Sequence, residues 1–305
     1  MSERASAKGV FGFLAATALL ACSGGSGTPG AGGSTAGTGG GSGASGTTSS
    51  SGTTSSSSGS TSSSGTTSSS GGGLNPALPP GSNFDLSLWE LQEPVGSPGS
   101  PTTISPAQLT AGYHDAYFYT DPNDGAMTFW DPENGVMTAN SNYPRSELRE
   151  MTTGTTVANW PIAGTNTLSA TLAVTQVPDH VCIGQIHIGS AIQAGLAAST
   201  KPLLELYYYA NGNVALGLES GPAGSEGTPT VLTTVPLGTK FSYVIELTGS
   251  GAITITVNGT AHPFTMPPSF NGYGMYFKAG DYDQTAGSSA TVGATVKFYA
   301  LSVQH

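Results

Sequence analysis

Leu168-Ser169-Ala170-Thr171-Leu172-Ala173-Val174-Thr175 places apolar residues at every even position. Successive side chains of a strand point to opposite faces, so a period of two predicts a strand with one face in a core. Ile253, Ile255 and Val257 repeat the pattern, with Thr254 and Thr256 opposite. Asn211-Gly212 and Asn258-Gly259 follow β-rich runs, and Asn-Gly is a strong hairpin signal. The chain closes on another such run, Thr295 to Val303, and helical periodicity is scarce after residue 74. Many short strands punctuated by Gly, Pro and Asn predict an all-β fold, a sandwich or jelly roll. That architecture leaves the function open.

Composition narrows it. The 305 residues hold 8 Lys+Arg against 18 Asp+Glu, a formal net charge of −10. A nucleic-acid binder needs a basic footprint that this chain lacks. With 9% charged residues it is also no coiled coil or charged helical bundle. Two cysteines exclude a disulfide scaffold and a cysteine-based zinc site.

The first third is not a domain. Residues 1–22 read as an export signal, in which Arg4 and Lys8 precede the apolar stretch Val10 to Ala21. That stretch is short for a membrane span and suits a signal peptide. It ends in Leu19-Leu20-Ala21-Cys22, which resembles the bacterial lipobox, where the cysteine is lipidated. The expectation is a cell-envelope lipoprotein that touches the membrane only through a lipid on Cys22. A freely secreted protein is the alternative. From Ser23 to Gly73 every residue but Pro29 is Gly, Ser, Thr or Ala, so 23–73 is expected to be a disordered tether. Its r.m.s. span would be roughly 40 Å. One globular domain remains, residues 74–305, expected to act as a monomer. Cys182 is its single cysteine, so it can form no internal disulfide.

Three segments carry polar residues on one strand face: Tyr143 to Glu150 (YPRSELRE), Gly184 to Ile188 (GQIHI) and Tyr276 to Gln284 (YFKAGDYDQ). Alternation puts Arg145, Glu147 and Arg149 together, then Gln185 with His187, then Tyr276, Lys278, Tyr282 and Gln284. If these strands are neighbours, they form one groove. After the signal, the chain has six basic residues, and three of them lie in these motifs. An acidic protein that gathers its few cations on one face is suited to an anionic ligand.

These motifs resemble those of the alginate lyases of polysaccharide lyase family 7, whose strands read R-S/T-E-L-R, Q-I/V-H and Y-F-K-A-G-x-Y-x-Q. All three occur here in order, and Phe84 to Leu91 looks like that family's first strand. The resemblance covers nearly all of 83–305. It implies a β-jelly roll of two antiparallel sheets with a concave substrate cleft, acting on alginate by β-elimination without metal or cofactor.

A uronate lyase must remove the C5 proton beside a carboxylate that is already negative. Neutralising that carboxylate is therefore the largest task. Arg145 suits it, because a guanidinium stays charged and binds carboxylate in a fork. By the family pattern Gln185 adds an amide donor. His187 is the candidate base, and Tyr282 the candidate acid for the leaving oxygen; the resemblance implies that Tyr282 can also serve as base when the C5 proton lies on its side. A nearby cation, Arg145 or Lys278, is expected to lower the tyrosine's pKa. Arg149 and Glu147 stand between substrate contact and a structural ion pair. Tyr276, Lys278 and Gln284 are expected to bind substrate or support the cleft. Ile186, between Gln185 and His187, is associated in the family with guluronate-containing blocks.

Other features have plainer readings. Asp121 to Gly125 reads as a turn rather than a calcium loop. Trp130 and Trp160 read as core. Alternation buries either Tyr208, with Leu204 and Leu206, or Tyr207 and Tyr209. His114, His180, His262 and His305 fit no ligand spacing. Asp281 and Asp283 should turn away from the groove, and Gly189 to Ser199 could form a loop over it. Three rival functions remain: a non-catalytic carbohydrate-binding jelly roll, a glycoside hydrolase, which needs two opposed carboxylates, and a lyase of another polyuronate such as polyglucuronate.

Overall fold

Fifteen strands and three single turns of helix carry the chain, in a computed structural model that describes residues 73–153 and 155–305. The signal reading of 1–22, the lipid site at Cys22 and the tether reading of 23–72 lie outside the described residues.

In chain order the strands are β1 (Trp89–Ser97), β2 (Ser100–Ile104), β3 (Phe118–Thr120), β4 (Met127–Pro132) and β5 (Ser146–Glu150). Then come β6 (Thr165–Gln176), β7 (His180–Ala191), β8 (Pro202–Tyr209), β9 (Asn213–Leu218) and β10 (Thr230–Thr234). The last five are β11 (Phe241–Thr248), β12 (Ala252–Val257), β13 (Thr260–Thr265), β14 (Tyr273–Asp283) and β15 (Gly293–Gln304). Two antiparallel sheets result, one ordered β10-β9-β8-β7-β14-β5-β1-β2 and the other β13-β12-β11-β6-β15-β4-β3. This is the jelly-roll sandwich.

The period of two sets the core. Leu168, Ala170, Leu172 and Val174 of β6 are buried, as are Ile253, Ile255 and Val257 of β12, while Thr254 and Thr256 stay partly exposed. From the first sheet Leu148, Ile186, Phe277 and Ala279 point inward. Each large apolar side chain so buried contributes roughly 1.5–3 kcal/mol. At the β12–β13 hairpin Asn258 and Gly259 both take positive φ, +48° and +80°, as a two-residue primed turn demands. At the β8–β9 hairpin only Gly212 does, and the loop has three residues, Ala210 to Gly212.

Three expectations change, the first being that Trp130 of β4 is partly exposed and not part of the core. The first strand starts at Trp89, not Phe84, because the Ser87 N–H donates to the Asp85 carboxylate (3.0 Å) in a local turn that breaks the extended chain. Phe84 and Leu86 still reach the core from that irregular segment. Tyr207 and Tyr208 are both buried, on opposite faces of β8. Tyr208 fills the core and donates to the Val235 carbonyl, whereas Tyr207 is covered from outside by Glu226.

The sheet's inner face is closed by the chain's last residue. Glu150 accepts from Trp160 Nε1 (2.9 Å) and the Phe277 N–H (2.8 Å), and His305 Nε2 lies 2.5 Å from its other oxygen. Trp160 and His305 thus serve structure, as expected, and Glu150 pairs with neither arginine.

Candidate active site

Sheet order makes β7, β14 and β5 neighbours, and register aligns their polar residues. Lys278 lies opposite Arg149 on one side and Gln185 on the other, and Tyr276 lies opposite His187. Gly280 faces Glu147 at a φ of +149°, and a Cβ there would stand 2.8 Å from Glu147 Cα and Ser146 O. Only glycine lets β14 and β5 approach so closely. Beside it Gly280 and Asp281 together oppose Ile183, a β-bulge next to Tyr282.

A cleft of about 700 Å³ opens over these strands, within the range of ligand sites. Arg145, Arg149, Gln185, His187, Tyr276, Lys278 and Tyr282 all line it. Lys201 joins them, so four of the six basic residues beyond the signal face one cleft.

Glu147 does not line it. Its carboxylate is fully buried beneath, taking Arg145 Nη1 (3.0 Å), the Lys278 ammonium and Gln185 Nε2 (2.5 Å). Burial alone would raise its pKa, but Lys278 and Arg145 outweigh that and hold it below the usual carboxylate range. Between the two readings left open for Glu147, the geometry favours the ion pair that orients the cleft over substrate contact. Gln284 also sits outside the cleft lining, its amide donating to the Tyr282 carbonyl (3.0 Å). Asp281 and Asp283 are buried behind the strand, where burial pushes both carboxyls up.

Arg145 is more engaged than a free fork. One Nη is held by Glu147 and the other donates to Ser141 Oγ (3.1 Å), while the guanidinium lies 3.8 Å from the centroid of the Tyr282 ring. Arg149 is paired with no carboxylate among the described residues and packs 5.5 Å from the Tyr276 ring. It is the freer cation of the two. Burial and then Arg145 lower Lys278 to about 8, despite Glu147.

Proton positions follow from the hydrogen bonds. His187 Nδ1 lies 2.8 Å from the Ile188 carbonyl, which can only accept, so the proton sits on Nδ1 and Nε2 keeps its lone pair. Burial, then Lys278 and the arginines, pull the imidazole down to about 3. It is a neutral base. In NMR of the unliganded protein, the His187 ring nitrogens should therefore keep the neutral Nδ1–H pattern from about pH 5 to about pH 8. An imidazolium signal appearing in that window would remove His187 from the role of base.

Tyr282 is the opposite case. Its hydroxyl is 3.0 Å from Ser141 Oγ, which also lies 2.8 Å from the Tyr143 carbonyl and accepts from Arg145 Nη2 and the Tyr143 N–H. The cation beside it was expected to lower its pKa. Burial wins instead, and the net shift is upward although Arg145 and Ser141 pull down. With its pKa raised, the phenol keeps its proton at neutral pH.

Sequence reasoning missed Ser141, Tyr143, Asn159, Lys201, Glu205 and Glu219, which also line the cleft. Ser141, Tyr143 and Asn159 lie outside the strands, where no periodicity marks them. Glu205 was legible as the one charged residue in Leu203-Leu204-Glu205-Leu206-Tyr207. The stretch expected as a loop over the groove is strand at its start: Gly189 and Ser190 lie at the end of β7 and Ser199 in the loop after it, and all three join the wall.

A jelly roll with a neutral base, a protonated phenol and a bank of cations in one cleft is equipped for proton transfer on an anionic polymer. The chain belongs to the alginate lyase family, whose model matches residues 84–305. An alginate lyase of Klebsiella pneumoniae is 30% identical in an alignment 284 positions long that covers 74% of this chain and 91% of that protein. Alginate lyase A1-II', a member of polysaccharide lyase family-7, superposes with a TM-score of 0.64 at 36% identity over 74% of this chain and 98% of its own. The alginate lyase from Pseudomonas aeruginosa gives 0.66 at 35% identity over 72% of this chain and 99% of its own.

Proposed function

We propose that this alginate lyase cleaves its polymer by β-elimination, with His187 and Tyr282 moving the protons. The observation that carries the reading is the geometry of the pair, His187 Nδ1 on the Ile188 carbonyl with Nε2 free and the Tyr282 hydroxyl on Ser141 Oγ, which suits a neutral imidazole and a phenol whose raised pKa keeps its hydrogen. His187 Nε2 takes the C5 proton, the C5–H electrons form the C4–C5 double bond, the C4–O bond breaks and Tyr282 gives its proton to the leaving oxygen. No water is consumed. Charge building on the uronate carboxylate is met by Arg145, Arg149 and Lys278, and by the Gln185 amide.

Guluronate-containing blocks are the preferred substrate in this reading, on the strength of Ile186. That side chain points into the core and does not line the cleft, so its effect passes through the placing of Gln185 and His187. Polyglucuronate is the second reading, since the cations would serve any uronate carboxylate.

Ultraviolet absorbance of the purified protein with poly-guluronate, poly-mannuronate and polyglucuronate, each alone, tests both points. Elimination leaves a conjugated, absorbing double bond, and hydrolysis or binding does not. The expected result is the fastest rise with poly-guluronate. A rise with polyglucuronate alone would change the substrate, and silence on all three with binding intact would overturn the lyase reading.

A further inference from the structure

One row of register partners crosses the floor of the cleft, Arg149, Lys278, Gln185 and Glu205 on β5, β14, β7 and β8. Two cations at one end are answered by a carboxyl at the other, which also lines the cleft. The elimination steps make no use of it.

Glu205 belongs to a built cluster. The Tyr207 phenol lies 2.8 Å from Glu205 Oε2 and 2.6 Å from Glu226 Oε2. A phenol has one proton to donate. Two carboxyl oxygens at bonding distance from one phenol oxygen need a second proton, carried by Glu205 or Glu226 and donated back to the phenol. Without it an anionic oxygen faces the phenol's lone pairs. Glu226 reaches this place from the segment after β9, held by a bridge to Glu219. It folds over Gly217, where a Cβ would collide with its carboxylate and come within 2.7 Å of the Tyr207 ring.

The charged and titratable groups around Glu205 come from several elements. Tyr207 is on its own strand, Glu226 follows β9, Cys182 stands on β7, Lys278 and Tyr282 on β14 and Glu147 on β5. Lys201 and Glu219, farther along the wall, pair with each other (2.9 Å). Burial pushes Glu205 up to about 7; the Tyr207 bond and Lys278 work against this, and Glu226 and Glu147 add to it.

We propose that Glu205 is a proton-gated specificity residue: with its carboxyl protonated it admits an anionic sugar unit beside Gln185, and ionised it turns that unit away. The occupant, a uronate, rests on the lyase reading above. One like charge at such a site weakens binding by about tenfold.

The test is calorimetric titration of the full-length protein, carrying Tyr282→Phe to stop turnover, with guluronate and mannuronate tetramers separately. The window is about pH 5.5 to about pH 7.5, below the loss of charge at Lys278. Affinity for at least one tetramer should fall several-fold as pH rises through the window. Adding Glu205→Gln should abolish that dependence and hold affinity at its acid value. Glu226→Gln, away from the cleft wall, should move the midpoint to lower pH, because a like charge has been removed; it carries the test if Glu205→Gln does not fold. With the tyrosine intact, the pH effect should appear in KM and not in kcat. A flat profile with Tyr282→Phe alone, an unchanged profile on adding Glu205→Gln, or no binding of either tetramer overturns the gate. Gated binding without any ultraviolet product would keep the gate and overturn the lyase reading instead.

Discussion

Tyr282→Phe should lower kcat on alginate by about 10²–10⁴-fold, the contribution of a positioned acid, with KM little changed. Phenylalanine keeps the ring against which Arg145 packs, and it deletes only the hydroxyl that hydrogen-bonds Ser141. Ser141 retains Arg145 Nη2 as a donor and the Tyr143 carbonyl as an acceptor, so no buried group is orphaned. Stability should fall by no more than about 1 kcal/mol, the net value of one hydrogen bond. Initial rates by ultraviolet absorbance and a thermal melt on the same sample separate the two effects. A variant retaining a tenth or more of wild-type kcat would remove Tyr282 as the acid. The serine link also gives the loop before β5 a role, since Ser141 holds the phenol hydroxyl in place.

The second large effect is structural and sits one layer below. Glu147→Gln should destabilise the domain by about 3–5 kcal/mol, the cost of breaking a buried ion pair from one side. Tm would then fall by roughly 10 °C, at 2–4 °C per kcal/mol for a domain of this size. Removing the carboxylate leaves Arg145 and Lys278 as adjacent buried cations and takes away the acceptor of Gln185. Arginine cannot shed its proton, but lysine can. Burial and Arg145 already hold Lys278 down at about 8, and without Glu147 its folded pKa must drop further. Between that lowered pKa and the unfolded one, the unfolded chain binds the extra proton, so stability there rises with pH. The Tm deficit should be larger at about pH 6 than at about pH 9 and be partly repaired by adding Lys278→Met. A Tm within about 2 °C of wild type across that range would show that Glu147 does not carry the cleft's cations.

The strand period and the Asn-Gly turns were legible in the sequence because they depend on local geometry alone. Alternation along β6 and β12 reports which side chains enter a core, whatever the strands pair with. It also assigned Arg145, Gln185, His187 and Tyr282 to polar faces, and three ordered motifs tied those faces to one family. The irregular Phe84 to Leu88 segment escaped because an Asp85–Ser87 side-chain turn overrides an apolar pattern. The twin burial of Tyr207 and Tyr208 escaped because its cause, Glu226, lies nineteen residues away.

Chain order and residue type therefore determined the fold class and the polar faces that meet in the cleft. Protonation was decided by the tertiary structure. Whether Tyr282 is acid or anion depends on burial outweighing Arg145, and whether His187 is neutral depends on burial and three cations from other segments. Whether Glu147 touches substrate or lies beneath it depends on how closely β14 approaches at Gly280. Electrostatic energies scale with distance and local dielectric, and both exist only once separate strands are brought together.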